Sequence, residues 1–201
     1  MICYIVGAGE FHGGFTPGAD DLVIAADGGY THLTAKGIRC DMLIGDMDSL
    51  SNVPSGIDTV IHPVMKDETD TFLAYTEGVK RGYTDFEIYG GVGGRDDHTF
   101  ANLSLLLYMK NRSHNGRLIG QGSYSTVIKD EEITVSGRIG AGFSVFAIGG
   151  EAHGVSIEGA KYKCRDITIT PEFPLGVSNS FESEDVKIGV KNGSLLVMIE
   201  N

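Results

Sequence analysis

The sequence predicts an α/β amino-terminal domain, a mostly parallel sheet with flanking helices, followed by an all-β domain of sandwich or barrel-like form. Two observations predict it. Short apolar runs alternate with helical patterns through the first half of the chain, and that alternation stops at Asn111-Arg-Ser-His-Asn-Gly116. Beyond it, β-rich segments are punctuated at short intervals by glycine and polar turns. The acids are unevenly spread. Residues 1–114 carry 8 Lys/Arg and 16 Asp/Glu, a net of −8, whereas residues 115–201 carry 8 and 11, a net of −3.

In chain order, residues 2–6 and 22–26 are short apolar runs bounded by glycine or acid, the pattern of strands buried on both faces. Residues 30–36 form a short helix ending at Gly37. Residues 42–44 and 59–61 are further strands. Residues 71–80 are helical in pattern and stop at Gly82, with Lys80 and Arg81 at the end where the helix dipole favours cations. A strand over 86–89 and a helix over 99–110 complete the alternation. In the second half, 125–129, 143–148, 155–157, 166–170 and 195–199 read as strands. The division falls near 111–118, giving domains 1–114 and 115–201.

The 201 residues suffice for one large domain or two small ones, and 41% hydrophobic with 21% charged residues excludes wholesale disorder. Apolar runs such as 105–108 are far shorter than the roughly 20 residues of a membrane span. Residues 1–6 read as a strand, not a signal peptide. Three scattered cysteines, Cys3, Cys40 and Cys164, fit a reducing cytoplasm without a disulfide framework. A net charge of −11 argues against gripping the phosphate backbone of nucleic acid.

Four acidic clusters follow a strand or open a helix, where open α/β sheets bind ligands. In Ala26-Asp27-Gly28-Gly29, the glycines admit close backbone approach and the helix start offers amides to phosphate; a tight turn capped by Asp27 is the plainer alternative. In Ile44-Gly45-Asp46-Met47-Asp48-Ser49, Asp46 and Asp48 point to one side of an extended segment and suit Mg²⁺ between them. In Lys66-Asp67-Glu68-Thr69-Asp70, capping accounts for one acid but not three. Asp67 and Asp70 have the spacing to share a helical face, and Lys66 suits a phosphate. In Tyr89-Gly90-Gly91-Val92-Gly93-Gly94-Arg95-Asp96-Asp97-His98, the glycines allow a backbone that wraps a ligand, with Arg95 for phosphate. By contrast, Val6-Gly7-Ala8-Gly9-Glu10-Phe11-His12 is a poor dinucleotide fingerprint. His12 takes the third glycine position, and Gly13, Gly14, Pro17 and Gly18 spoil the crossover helix. No GxxxxGK[ST] loop is present.

These clusters, in this order, resemble those of the thiamine pyrophosphokinase family. The matching stretches are Ala26-Asp-Gly-Gly29, Asp41-Met-Leu-Ile-Gly-Asp-Met-Asp-Ser49, Lys66-Asp-Glu-Thr-Asp70 and Gly91-Val-Gly-Gly-Arg-Asp-Asp-His98. A fifth, Phe173-Pro-Leu-Gly-Val-Ser-Asn-Ser180, is similar to the family's Gly-x-Ser-Asn thiamine loop. The resemblance implies diphosphate transfer from ATP to the hydroxyethyl oxygen of thiamine, giving thiamine diphosphate and AMP, with Mg²⁺. It also implies a homodimer whose active sites are shared between subunits. Carried onto this chain, it implies Asp46, Asp48 and Asp70 for Mg²⁺. Asp27, Gly28, Gly29, Lys66, Thr69, Arg95 and Asn102 fall near the nucleotide, and Ser178 and Asn179 at thiamine. Asp97 is the candidate general base and Asp70 the reserve.

The sequence departs from the family in lacking tryptophan, which animal members use against thiamine; Phe173, Phe181 and Tyr162 are the substitutes. His98 stands where some relatives have glutamine, and Cys40 where proline is common. Two alternatives accompany this reading. One is a pyrophosphokinase for another acceptor alcohol such as a hydroxymethyl pterin. The other is a non-catalytic sensor of thiamine diphosphate or nucleotide.

Overall fold

Ile5, Ile24, Leu43 and Ile44 are fully buried, the mark of strands covered on both faces, and the first part of the chain is built around them. The structure is a computed structural model and describes residues 1–45, 56–61 and 67–200. The first part runs β1 (Cys3–Val6), β2 (Leu22–Ala26), α1 (Gly29–Lys36), β3 (Met42–Gly45), β4 (Asp58–Ile61), α2 (Asp70–Lys80), β5 (Asp85–Tyr89), α3 (Asp96–Lys110) and β6 (Asn115–Gly120). The strands lie in the order β6-β5-β1-β2-β3-β4, every neighbouring pair parallel. Parallel register brings the carboxyl ends of all six to one edge.

The pleat sorts side chains between the two faces. Tyr4, Val6, Val23, Ala25, Leu43 and Tyr89 pack with Leu33 of α1 and with Phe11 and Phe15 from the β1–β2 connection. That connection carries no helix, in keeping with its glycines and proline. Instead it stacks Phe15 on Tyr4 at 4.1 Å and lays it against Tyr89 at 4.7 Å. Elsewhere in the sheet, Phe86 receives Tyr75 of α2 edge-on at 5.0 Å.

Residues 1–105 and 113–121 form one unit, and residues 106–112 and 122–201 a second. The second unit comprises β7 (Ser123–Lys129), β8 (Glu132–Ser136), β9 (Gly142–Ala147), β10 (Ala152–Glu158), β11 (Cys164–Ile169), β12 (Asn179–Ser180), β13 (Asp185–Gly189) and β14 (Ser194–Glu200). Two antiparallel sheets result, β12-β9-β14-β7 and β11-β10-β13-β8. Between them Val145, Leu195 and Val197 meet Val155, Ile157, Val186 and Ile188 in one core. An α/β part followed by an antiparallel β-rich part is the fold class that the sequence predicts.

The element-level differences have local causes. β6 opens on Asn115-Gly116, which reads as a turn, yet it continues the parallel sheet beside β5. β8 and β13 are short and polar on one face, and their apolar positions are held by pairing with each other. α3 begins at Asp96, not at 99, because Asp96 and Asp97 occupy its first turn, where acids suit the dipole. Among the described residues no helix is long and apolar enough to cross a membrane.

Candidate active site

At the carboxyl edge of the parallel sheet, the loops after β1, β2 and β5 lie against one another. Gly7 N–H donates to Tyr89 O (2.8 Å), Gly9 N–H to Gly90 O (2.8 Å) and Glu10 N–H to Val92 O (3.0 Å). Asp27, at the end of β2, has φ 50°, a left-handed backbone that Asp tolerates better than most residues. Its N–H donates to Ile44 O at 2.7 Å, so the end of β3 abuts it. The N-cap of α1 is Gly28, not Asp27, and no side chain caps the helix. A Cβ on Gly29 would overlap the Val6 carbonyl, so only glycine lets α1 start this close to β1. Gly29 thus has a structural reason of its own, the close packing of α1 on β1.

α2 is capped by Thr69, whose Oγ1 accepts from Phe72 N–H at 3.2 Å, and Asp70 stands half-buried in its first turn. Because the helix starts at Asp70, Asp67 precedes it, and the two acids do not share a helical face. Asp41, which opens the second matching stretch, sits at the start of β3, away from the loop edge. Its carboxylate accepts from Val23 N–H (2.9 Å) and from Arg39, which makes it a brace between strands.

The β5–α3 loop holds the most fully defined chemistry. Arg95 forms a two-pronged pair with Asp97, Nε to Oδ1 at 3.1 Å and Nη2 to Oδ2 at 2.6 Å. Both side chains are well exposed, at 71% and 64%. The Arg95 hydrogen bond holds the Asp97 carboxyl below the usual carboxylate range, helped by the His98 N–H, and Asp97 in turn raises Arg95. Asp97 is therefore ionised near neutrality, and a substrate phosphate that drew Arg95 away would make it a stronger base. Asn102 is buried, and its Nδ2 donates to Gly91 O at 2.8 Å. That bond gives it a second role beside the expected one near the nucleotide: it anchors the glycine loop.

In the second unit Ser178 has φ 60° and accepts support through its N–H, which donates to Ser144 Oγ at 3.1 Å. Asn179 is buried and bound to backbone. Its Oδ1 accepts from Tyr162 N–H and Ser180 N–H, both at 2.9 Å, and its Nδ2 donates to Tyr162 O at 2.7 Å. The loop 170–179 and the 160–164 turn are thereby tied together beside a cavity of about 180 Å³. Ile157, Ile167, Ile169, Leu175, Val177 and Tyr162 line it. Phe181 is 2% exposed and packs edge-on against Phe143 at 5.5 Å, so it is a core residue and not a stacking surface. Tyr162 and Phe173 are exposed.

Asp46, Asp48 and Lys66 lie outside the described residues. Among the described residues no group of three or more His, Cys, Asp or Glu side chains is placed to hold a metal ion. Sequence reasoning missed two contributors to these sites. The β1 loop, dismissed as a nucleotide fingerprint, supplies Glu10 to the carboxyl edge of the sheet; the apolar cavity wall comes from Ile157 of β10, Ile167 and Ile169 of β11, and Tyr162, Leu175 and Val177 on the loops beside them. The first had a signal in its closely spaced glycines, the second none.

Two family models match the chain: "Thiamin pyrophosphokinase, catalytic domain" over residues 18–118 and "Thiamin pyrophosphokinase, vitamin B1 binding domain" over residues 127–195. No curated protein matches it. Among solved structures, it is similar to the thiamine pyrophosphokinase of Bacillus subtilis, with TM-score 0.89, 22% identity, and coverage of 100% of this chain and 99% of that one. For the enzyme of Geobacillus thermodenitrificans the values are 0.83, 24%, 100% and 98%. For that of Candida albicans they are 0.77, 13%, 100% and 89%.

Proposed function

The chain belongs to the thiamin pyrophosphokinase family, and on that premise we propose that it transfers diphosphate from ATP to the hydroxyethyl oxygen of thiamine, yielding thiamine diphosphate and AMP. The observation that carries the reading is the Arg95–Asp97 fork at the mouth of α3, on the loop that hydrogen-bonds to the loop after β1. Asp97 takes the hydroxyl proton as the thiamine oxygen bonds to the β-phosphorus. The bond from that phosphorus to the oxygen bridging to the α-phosphorus breaks, and AMP leaves with the electron pair. Arg95 turns from Asp97 toward the phosphates, supplying charge as the transfer proceeds. Asp27 and the Gly28-Gly29 helix start hold the nucleotide with Lys66 and Thr69, and Asn102 fixes the loop that carries Arg95.

An all-oxygen donor set of Asp46, Asp48 and Asp70 suits Mg²⁺, which prefers carboxylates plus substrate phosphates. The fit is supported by the abutment of Asp27 on Ile44, two residues before Asp46, at the same sheet edge. When bound, the ion neutralises charge on the phosphate oxygens. The first part of the chain, through β6, makes up the nucleotide and metal domain, and the β-rich remainder the thiamine domain, where Ser178 and Asn179 shape the acceptor site. The protein acts in the cytoplasm as a homodimer with shared active sites.

The test is a discharge assay with purified protein, Mg²⁺–ATP and thiamine, the products separated by chromatography. Thiamine-dependent AMP with thiamine diphosphate is the expected result. ADP with thiamine monophosphate overturns the two-phosphorus transfer. If folded protein forms no thiamine-dependent product, the acceptor is another alcohol.

A further inference from the structure

The β1 loop is bound to the catalytic glycine loop, and it brings a carboxylate there that none of the roles above uses. Glu10 N–H donates to Val92 O, and the side chain then lies across Gly93. A Cβ on Gly93 would come within 2.6 Å of Glu10 Cγ and Cδ, and Gly93 itself has φ 75°. The positive φ favours glycine at Gly93, and a side chain there would push Glu10 aside. The carboxylate is aimed as well as placed. His12 Nε2–H donates to Glu10 Oε2 at 3.0 Å, with the imidazole mostly covered (22% exposed) and Glu10 open to solvent (62%). The loop itself is steadied by His32, which hydrogen-bonds to Gly9 O at 2.9 Å, and by Phe11, whose ring lies 5.6 Å from those of His32 and Tyr89.

We propose that Glu10, held by His12, is a specificity-determining residue that binds the cationic, amine-bearing acceptor and not the nucleotide; this rests on the diphosphate-transfer reading above. The reason is charge. Unlike Asp46, Asp48 and Asp70, which suit Mg²⁺ between themselves and the phosphates, Glu10 stands outside the proposed metal set. A carboxylate with no cation between it and the triphosphate would repel it. Thiamine is a cation with an aromatic amine, and an exposed carboxylate is both an acceptor for the amine and a counter-charge. Glu10 lies over Gly93, two residues before Arg95 and four before Asp97 in the loop where the acceptor hydroxyl must arrive.

The experiment compares wild type with Glu10→Gln in the AMP-release assay, titrating thiamine and ATP separately. Oxythiamine, which has an oxo group in place of the pyrimidine amine, serves as the alternative acceptor. Gln can still accept from the amine, but losing the negative charge weakens the charge-assisted bond and the counter-charge. That raises the thiamine KM about tenfold and leaves the ATP KM within about twofold. The preference for thiamine over oxythiamine falls as well, since Gln donates to an oxo group where Glu cannot. His12→Ala moves the thiamine KM in the same direction by less, because it frees the carboxylate without deleting it. Equal rises in both KM values, or an unchanged acceptor preference, overturn the role of Glu10. A wild-type enzyme that releases no AMP with thiamine overturns instead the reading on which it rests, and with it the proposal.

Discussion

Asn102→Ala separates two ways in which one buried amide can serve this site. The native side chain is 4% exposed and donates from Nδ2 to Gly91 O at 2.8 Å. Gly91 is wedged in place: a Cβ there would lie 2.6 Å from Leu118 Cδ1 and 2.9 Å from Ile88 Cγ2. Truncation removes the donor from a covered carbonyl that has little room to turn toward water. Leaving such a group without its partner costs about 1–3 kcal/mol. For a chain of this size each kcal/mol lowers Tm by roughly 2–4 °C, so the expected drop is about 2–12 °C. The loop between Gly91 and Arg95 loosens at the same time, and the ATP KM rises. Thermal unfolding followed by circular dichroism, alongside steady-state AMP release, reads both effects. A Tm within 1 °C of wild type together with a large rise in ATP KM would refute the anchoring argument. Asn102 would then act on the nucleotide directly.

Asp97→Asn lowers kcat by about 10²–10⁴-fold with Tm unchanged, since the carboxylate is exposed and its removal leaves no buried partner. The pH profile supplies an independent check. Arg95 holds the Asp97 carboxyl below its ordinary range, so the ionised form persists above that depressed value and is lost as pH falls through it. Arg95→Ala therefore moves the acidic limb of the activity profile of the free enzyme to higher pH, and an unmoved limb removes Asp97 as the titrating base. Asp46→Asn and Asp48→Asn abolish turnover and leave the far-ultraviolet spectrum intact; full activity in both sinks the metal assignment. Asn179→Ala breaks three hydrogen bonds to the Tyr162 and Ser180 backbones and destabilises the protein by about 1–3 kcal/mol, with a raised thiamine KM. Normal stability and kinetics would show that this tie carries neither job.

The order of elements in the first half, and the change to β structure after it, were legible because their signals are local. Apolar runs such as Cys3–Val6 and Met42–Gly45 are buried on both faces, and hydrophobicity alone marks such strands. The helix stop at Gly37 is equally plain, with φ 64° at that residue. The acidic and glycine-rich clusters also stood out, since phosphate and metal chemistry uses few residue types at short spacing. Side-chain roles within those clusters were less accessible. Asn102 and Gly91 are eleven residues apart, and only the return of α3 onto the β5 loop makes them partners. Asn179 reads as a ligand-binding amide, but its hydrogen bonds go to a turn 17 residues earlier. Phe181 reads as a free aromatic until the two sheets close over it. The spaced glycines marked the loop that carries Glu10 but not Glu10 itself, because its place above Gly93 comes from parallel pairing of β1 with β5.

The sequence by itself determined which chemistry the chain carries: carboxylates, glycine loops and an arginine placed after strands and before helices. Those features follow from composition and from spacing along a few residues. The tertiary structure alone decided which of those groups act on a ligand and which hold the scaffold. That choice depends on pairing across long separations, where burial and hydrogen-bond partners are fixed by neighbouring strands and not by neighbouring residues in the chain.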